Sequence, residues 1–152
     1  MAAPGTLTQM ALALQARDRE FQTRLKDAFH LLASNPAAAL SELEWAEQEQ
    51  PALERERTEF DAAMENVRIQ AGIVLTPQEA AVRNQMAATS HNAWLQIQWG
   101  KASALVSLNR LAEARVVVDA ASAALGPESD PQARSMLLQM RASIVAAAAQ
   151  GL

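Results

Sequence analysis

Apolar residues recur three and four positions apart along most of the chain, which is the spacing of one face of an α-helix. The pattern is densest from Trp94 to Pro127, where it predicts two amphipathic helices joined by a tight connection at Asn109-Arg110. On the first of these helices the apolar residues cover an arc of about 200°, wider than the roughly 100° stripe of a surface helix. We therefore expect this helix to have neighbours on two sides.

The N-terminal part of the chain predicts a long helix at about residues 7–33, with Thr6 as its N-cap. Leu7, Leu14 and Phe21 recur every seven residues along it. Such a seam is typical of a helix that packs along a partner helix.

Start and stop signals divide the next part of the chain. Asn35 is a good N-cap and Pro36 a good first helical residue, so a second helix is expected to begin there. This helix is expected to stop near Pro51, because proline lacks the amide hydrogen that an inner helical turn needs. A third helix follows and ends at Gly72. Trp45 lies off the apolar face of the second helix, so it either packs on another element or is exposed at a contact surface.

Thr76 and Pro77 give the clearest helix start in the chain, a capping side chain followed by a first-turn proline. The fourth helix then runs toward Leu108. The polar residues 89–92 leave open whether this helix is unbroken or kinked.

A last helix is predicted at about residues 131–149, capped by Ser129 or Asp130. The chain is therefore expected to be all-α, with about six antiparallel helices in a single domain over residues 1–152. Its helices form either stacked hairpins, of which residues 93–127 would be one, or a helical bundle.

One small pattern occurs twice in the chain. A small, a large and a small residue follow one another at helical spacing on the second helix of a predicted hairpin, and a proline comes after them. In the first unit these are Ala39, Leu43, Ala46 and Pro51, and in the second Ala114, Val118, Ala121 and Pro127.

This pattern resembles the tetratricopeptide repeat, over at most about half of the chain. In the later unit Ala102, Leu105 and Leu111 also match the small and large residues of that family. The chain departs from it at Gln98, where the family has an aromatic residue, and before the second helix, where the family has a glycine and this chain has a serine or an asparagine. The resemblance implies stacked helical hairpins with a concave groove that binds another protein.

Composition and charge exclude several classes of function. A net charge of −4 argues against a nucleic-acid backbone as the main partner, and the absence of cysteine excludes disulfides and thiolate chemistry. No apolar run approaches the 18 or so residues of a membrane span. The first residues lack the basic segment of a signal peptide. We expect no membrane partner and a cytoplasmic location.

The sequence offers little for catalysis. Asp27 and His30 are spaced to share a helix face, but a di-iron site needs two Glu-x-x-His motifs with two further carboxylates. His91 lies in a Ser-His-Asn tripeptide without a nucleophile-elbow context. We therefore expect no enzyme activity, no catalytic residue, no metal site and no cofactor.

The candidate partner-binding residues lie on the helix that contains Trp94. The resemblance implies that Gln96, Trp99, Ser103 and Val106 face the concave groove. Lys101 is a further candidate, either as a polar contact in a groove or as a lysine that extends past its apolar neighbours to solvent. Trp99 either lines the groove or belongs to the core.

These observations predict a protein–protein interaction module, adaptor or chaperone-like, that binds a peptide or amphipathic helix of another protein. One alternative is a helical-bundle domain that binds a small ligand in its core. Another is a structural subunit that self-associates into a homo-oligomer through the N-terminal helix. An open groove lined by Trp99 would favour the first, and an enclosed cavity with a buried Trp99 the second.

Overall fold

The computed structural model describes the backbone of residues 4–74, 76–127 and 129–150, and the side chains of 6–74, 76–79, 81, 89–127 and 129–150. Over these residues the chain forms helices and turns without a strand, which confirms the all-α prediction. The helices are α1 (Pro4–Leu31), α2 (Pro36–Gln70), α3 (Pro77–Ser107), α4 (Leu111–Ala123) and α5 (Pro131–Ala149).

Three of the helices begin at a side-chain cap. Asn35 Oδ1 accepts a hydrogen bond from the Ala38 amide at 3.2 Å, and Thr76 Oγ1 accepts one from the Glu79 amide at 3.2 Å. Of the two residues proposed for the last cap it is Asp130 that fills the position. Each cap is followed directly by a proline, which presets the helical φ and needs no hydrogen-bond acceptor.

Two helices end in a left-handed residue. Gly72 after α2 has a φ of 72° and Asn109 after α3 a φ of 60°. In both turns the next amide donates back to the helix, from Ile73 to the Arg68 carbonyl at 3.0 Å and from Arg110 to that of Leu105 at 2.8 Å. With the shorter-range bonds from Gly72 to the Ile69 carbonyl and from Asn109 to the Val106 carbonyl, they complete a Schellman motif in each turn. Asparagine tolerates this conformation better than most side chains, so the tight connection predicted at Asn109-Arg110 forms without a glycine.

The predicted break at Pro51 is wrong, because Pro51 lies inside α2. An interior proline removes one backbone hydrogen bond and crowds the preceding turn, at a cost of about 3 kcal/mol. Contacts with α1 stabilise α2 on both sides of Pro51. Leu53 is buried against α1, and the Arg17 guanidinium pairs with both Glu49 and Glu56, one on each side of the proline. Tertiary packing therefore outweighs the local signal.

Two residues of the predicted seam, Leu14 and Phe21, lie where α1 packs on α2. Phe21 is 2% exposed, and Leu14 packs against the same cluster. Trp45 of α2 lies on this interface, with its ring centroid 6.2 Å from that of Phe21 and the Arg24 guanidinium 3.6 Å above it. Thr6 is inside α1 and not its cap, since the helix already includes Pro4.

Each helix packs on the next one in the chain, and α3 packs also on α5. The small–large–small positions lie at these contacts, and every one of them is completely buried: Ala39, Leu43, Ala46, Ala114, Val118 and Ala121. Alanine at such a position lets two helix backbones approach closely, and the larger residue fills the space between. The predicted neighbours of α3 on two sides are α2 and α4.

The helix α3 continues through residues 89–92, so the chain from Pro77 to Ser107 forms one helix and not two. None of the helices in the described part of the chain is both long and apolar enough to cross a membrane.

Candidate functional site

Three helices that alternate along the chain, α1, α3 and α5, line a groove of about 320 Å³. We refer to it as the odd-helix groove. Its residues are Phe29 from α1, Leu95, Gln96 and Trp99 from α3, Asp130 at the cap of α5, and Gln132, Ala133 and Met136 from α5.

The floor of the odd-helix groove is apolar. The rings of Phe29 and Trp99 stack with centroids 6.4 Å apart and planes inclined by 23°. Leu95 and Ala133 are buried, whereas Trp99 is half-buried. Gly100 lets α3 approach Phe29, since a methyl group there would lie 3.0 Å from Phe29 Cε1.

The rim of the groove is polar. Gln96 and Gln132 are exposed, and each side-chain amide can both donate and accept hydrogen bonds. Asp130 supplies a carboxylate whose Oδ2 accepts a hydrogen bond from the Ala133 amide at 3.1 Å. The backbone amide of Asp130 donates to Asn92 Oδ1 of α3 at 2.8 Å. Both the backbone and the side chain of this residue are thereby fixed.

A serine and a histidine meet next to this rim. His91 Nε2 lies 2.9 Å from Ser129 Oγ, and the Gly126 amide donates to the same oxygen at 2.9 Å. Ser129 is 5% exposed, and the His91 ring stacks on Trp94 with centroids 6.5 Å apart. No carboxylate is hydrogen-bonded to the His91 ring among the described residues. The pair ties the α4–α5 connection to α3, which is a structural role.

The sequence-predicted site residues fall into two groups. Gln96 and Trp99 line the odd-helix groove. Ser103 and Val106 lie on the same side of α3, one and two turns further on by helical spacing, with Val106 exposed.

Lys101 lies on another side of α3 and does not line the odd-helix groove. Its Nζ is 3.0 Å from both carboxylate oxygens of Glu47 on α2, and its side chain is 14% exposed. The buried Gln98 donates to the same carboxylate. The lysine thus joins α2 to α3, and it lines another surface pocket, between α2, α3 and α4, rather than the odd-helix groove.

Sequence reasoning missed the groove residues outside α3, above all Phe29 and Met136. Both belong to apolar helical patterns, so each is expected in the core when its helix is considered alone. Only the packing of α1 and α5 on either side of Trp99 brings them to one surface. The contacts of His91 and Asn92 could not be predicted from the sequence either, because their partners Ser129 and Asp130 come 38 residues later in the chain.

No group of three or more potential metal ligands occurs among the described residues. Comparison of the chain with protein families, with curated proteins and with solved structures finds no match in any of the three.

Proposed function

We propose that the chain is a protein–protein interaction module, adaptor or chaperone-like, that holds a peptide or amphipathic helix of a partner protein in the odd-helix groove. The observation that carries this proposal is the half-buried Trp99 at the floor of a groove open to solvent. Tryptophan, with tyrosine and arginine, is enriched among the few residues from which interfaces gain most of their binding free energy.

The way the groove is built supports a macromolecular partner. Its walls come from the three helices α1, α3 and α5, so it extends across more than one pair of helices. This is the arrangement that the resemblance to tetratricopeptide repeats implies for a peptide-binding surface. The face of α3 that contains Ser103 and Val106 would extend the contact beyond the groove.

The size of the groove limits what enters it. About 320 Å³ is at the lower end of the range of roughly 300–1,000 Å³ for sites that enclose small ligands. It accommodates one or two large apolar side chains. We infer that the partner inserts an anchor residue against Trp99 and Phe29, while Gln96 and Gln132 bond to its backbone.

A selection from a displayed library of amphipathic helical peptides tests the proposal. Wild-type protein should enrich peptides with a common large apolar anchor, and these should lose most of their affinity for the Gln96→Arg variant, whose longer side chain overhangs the groove. The matched control is Gln48→Arg, an exposed glutamine on α2 outside the groove. Peptides that bind both variants equally well, or a selection without enrichment, would show that the groove is not the binding site.

A further inference from the structure

Among the residues that the structure describes, one charged side chain, that of Asp130, lines the odd-helix groove. The other seven lining residues are apolar or carry neutral amides. Lys26 and Arg134, which lie one helical turn from Phe29 and from Asp130, are exposed and do not line the groove. Arg134 is turned toward the α4–α5 connection, where it donates to the Gly126 carbonyl at 2.7 Å.

The Asp130 carboxylate retains capacity for a ligand. A carboxylate offers about four acceptor positions, and the Ala133 amide occupies one of them on Oδ2. The N-terminal end of α5 contributes about half a positive charge, so the cap remains net negative. Its position is rigid, because Asn92 holds the backbone and the helix holds the side chain.

From this charge complementarity we infer that the occupant of the odd-helix groove is a segment with a large apolar anchor and a basic group beside it. The anchor lies against Trp99 and the cation pairs with Asp130. This inference rests on the proposed function and adds the chemical class of the partner's contact residues. An anchor flanked by an acidic group would bring two negative charges together at the edge of an apolar surface, which is unfavourable.

Three small probes that differ in charge measure this preference directly. 2-Phenylethylamine is a cation at neutral pH, 2-phenylethanol is neutral and 3-phenylpropionate is an anion. Each is titrated into ¹⁵N-labelled protein, with the indole N–H signal of Trp99 as the readout of groove occupancy. The cation should bind about fivefold more tightly than the alcohol, as expected for one partly exposed ion pair, and the anion should bind most weakly.

The Asp130→Asn variant separates the charge from the cap. Asparagine caps a helix about as well as aspartate, so α5 and the fold should be retained. The affinities for the cation and the alcohol should then become equal within error. For wild-type protein, the ratio of the affinities for the cation and the alcohol should become smaller at 1 M salt. The Debye length is then about 3 Å, so salt screens the ion pair with Asp130.

The possible outcomes separate the inference from the proposed function. Equal binding of all three probes to wild-type protein, or an unchanged ratio in Asp130→Asn, overturns the basic-partner inference. Groove binding then still stands if Trp99→Ala, followed by the backbone amide signals of Gln96 and Gln132, no longer binds the probes. Failure of every probe to bind overturns the inference as well. The peptide selection then decides the proposed function independently.

Discussion

Gly100 of α3 lies against Leu43 of α2 so closely that a methyl group at Gly100 would stand 3.0 Å from Leu43 Cδ1. The same methyl group would also stand 3.0 Å from Phe29 Cε1 of α1. Leu43 is fully buried, and Phe29 is held by its stacking on Trp99. This glycine therefore sets the distance between α3 and α2 at the level of the groove.

We predict that Gly100→Ala lowers the free energy of unfolding by about 1 kcal/mol. Alanine favours the helix by about 1 kcal/mol relative to glycine. Overpacking in a fixed core costs about 1–3 kcal/mol, and two neighbours must move here. Chemical denaturation of the two proteins measures the difference.

The control for this prediction removes the neighbour. In a Leu43→Ala background one of the two close contacts is gone and that with Phe29 Cε1 remains, so Gly100→Ala should destabilise the protein less than it does in wild type. A double-mutant cycle measures this coupling. An effect of the same sign and size in both backgrounds would contradict the close-contact explanation.

Ala114→Leu and Ala121→Leu should each destabilise the protein by about 1–3 kcal/mol, because both alanines are completely buried between α4 and its neighbours. Ala120→Leu is the matched control on the same helix, since Ala120 is exposed. It should change stability by less than about 0.5 kcal/mol. Melting of all three variants at the wild-type temperature would rule out close helix packing at these positions.

Pro51→Ala should stabilise the protein by about 1–3 kcal/mol. The substitution restores a backbone hydrogen bond inside α2 and relieves the crowding of the preceding turn. Pro36→Ala is the control, because a proline in the first turn of a helix interrupts no hydrogen bond. It should give no gain, or a small loss from the greater freedom of the unfolded chain. Equal effects of the two substitutions would contradict this account.

Pro51 also shows where prediction from the sequence stops. Caps and terminal turns depend on residues within one turn of each other, so the starts at Asn35 and Thr76 and the connection at Asn109 could be predicted. Whether a helix continues through a proline depends on the contacts of distant residues. Arg17 belongs to another helix, and no local pattern places it between Glu49 and Glu56.

In the candidate site, too, features within one helix could be predicted from the sequence, whereas features that depend on contacts between helices could not. Gln96 and Trp99, which the resemblance to tetratricopeptide repeats implies to share a face, both line the odd-helix groove. The helical spacing of α3 agrees with this, because it concerns a single element. It does not reveal which side of α3 Lys101 occupies relative to α2, since this depends on Glu47. Asp130 could be predicted as a cap but not as part of a groove, because that position is defined by how α5 packs on α3.

The Arg24–Glu42 pair should make stability depend on pH. Two hydrogen bonds from Arg24, at 2.9 and 3.0 Å, lower the pKa of Glu42 below its ordinary value. A carboxyl whose pKa is lower in the folded state contributes stability above its unfolded pKa and loses it as the pH falls through the folded pKa. Glu42→Gln should therefore be less stable than wild type at neutral pH and approach it in acid. Glu59→Gln, at an exposed carboxylate, should follow the wild-type curve.

Trp99→Ala tests the groove most directly. The tryptophan is half-buried, so its loss should destabilise the protein by less than the roughly 3–5 kcal/mol of a fully buried tryptophan, and the protein should stay folded. Truncation of a tryptophan at the centre of an interface commonly costs more than about 2 kcal/mol of affinity. Peptides selected on wild-type protein should therefore bind the folded variant at least about 30-fold more weakly.

Trp45→Ala provides the comparison, because Trp45 is also half-buried but packs on Phe21 and Arg24 between α1 and α2, outside the groove. It should lower the melting temperature to a similar extent and leave peptide affinity unchanged. Melting curves and binding isotherms of the two variants, measured side by side, separate a loss of fold from a loss of surface. If Trp99→Ala unfolds the protein, Trp99 is a core residue. If it binds the peptides as tightly as wild type, the binding surface lies elsewhere.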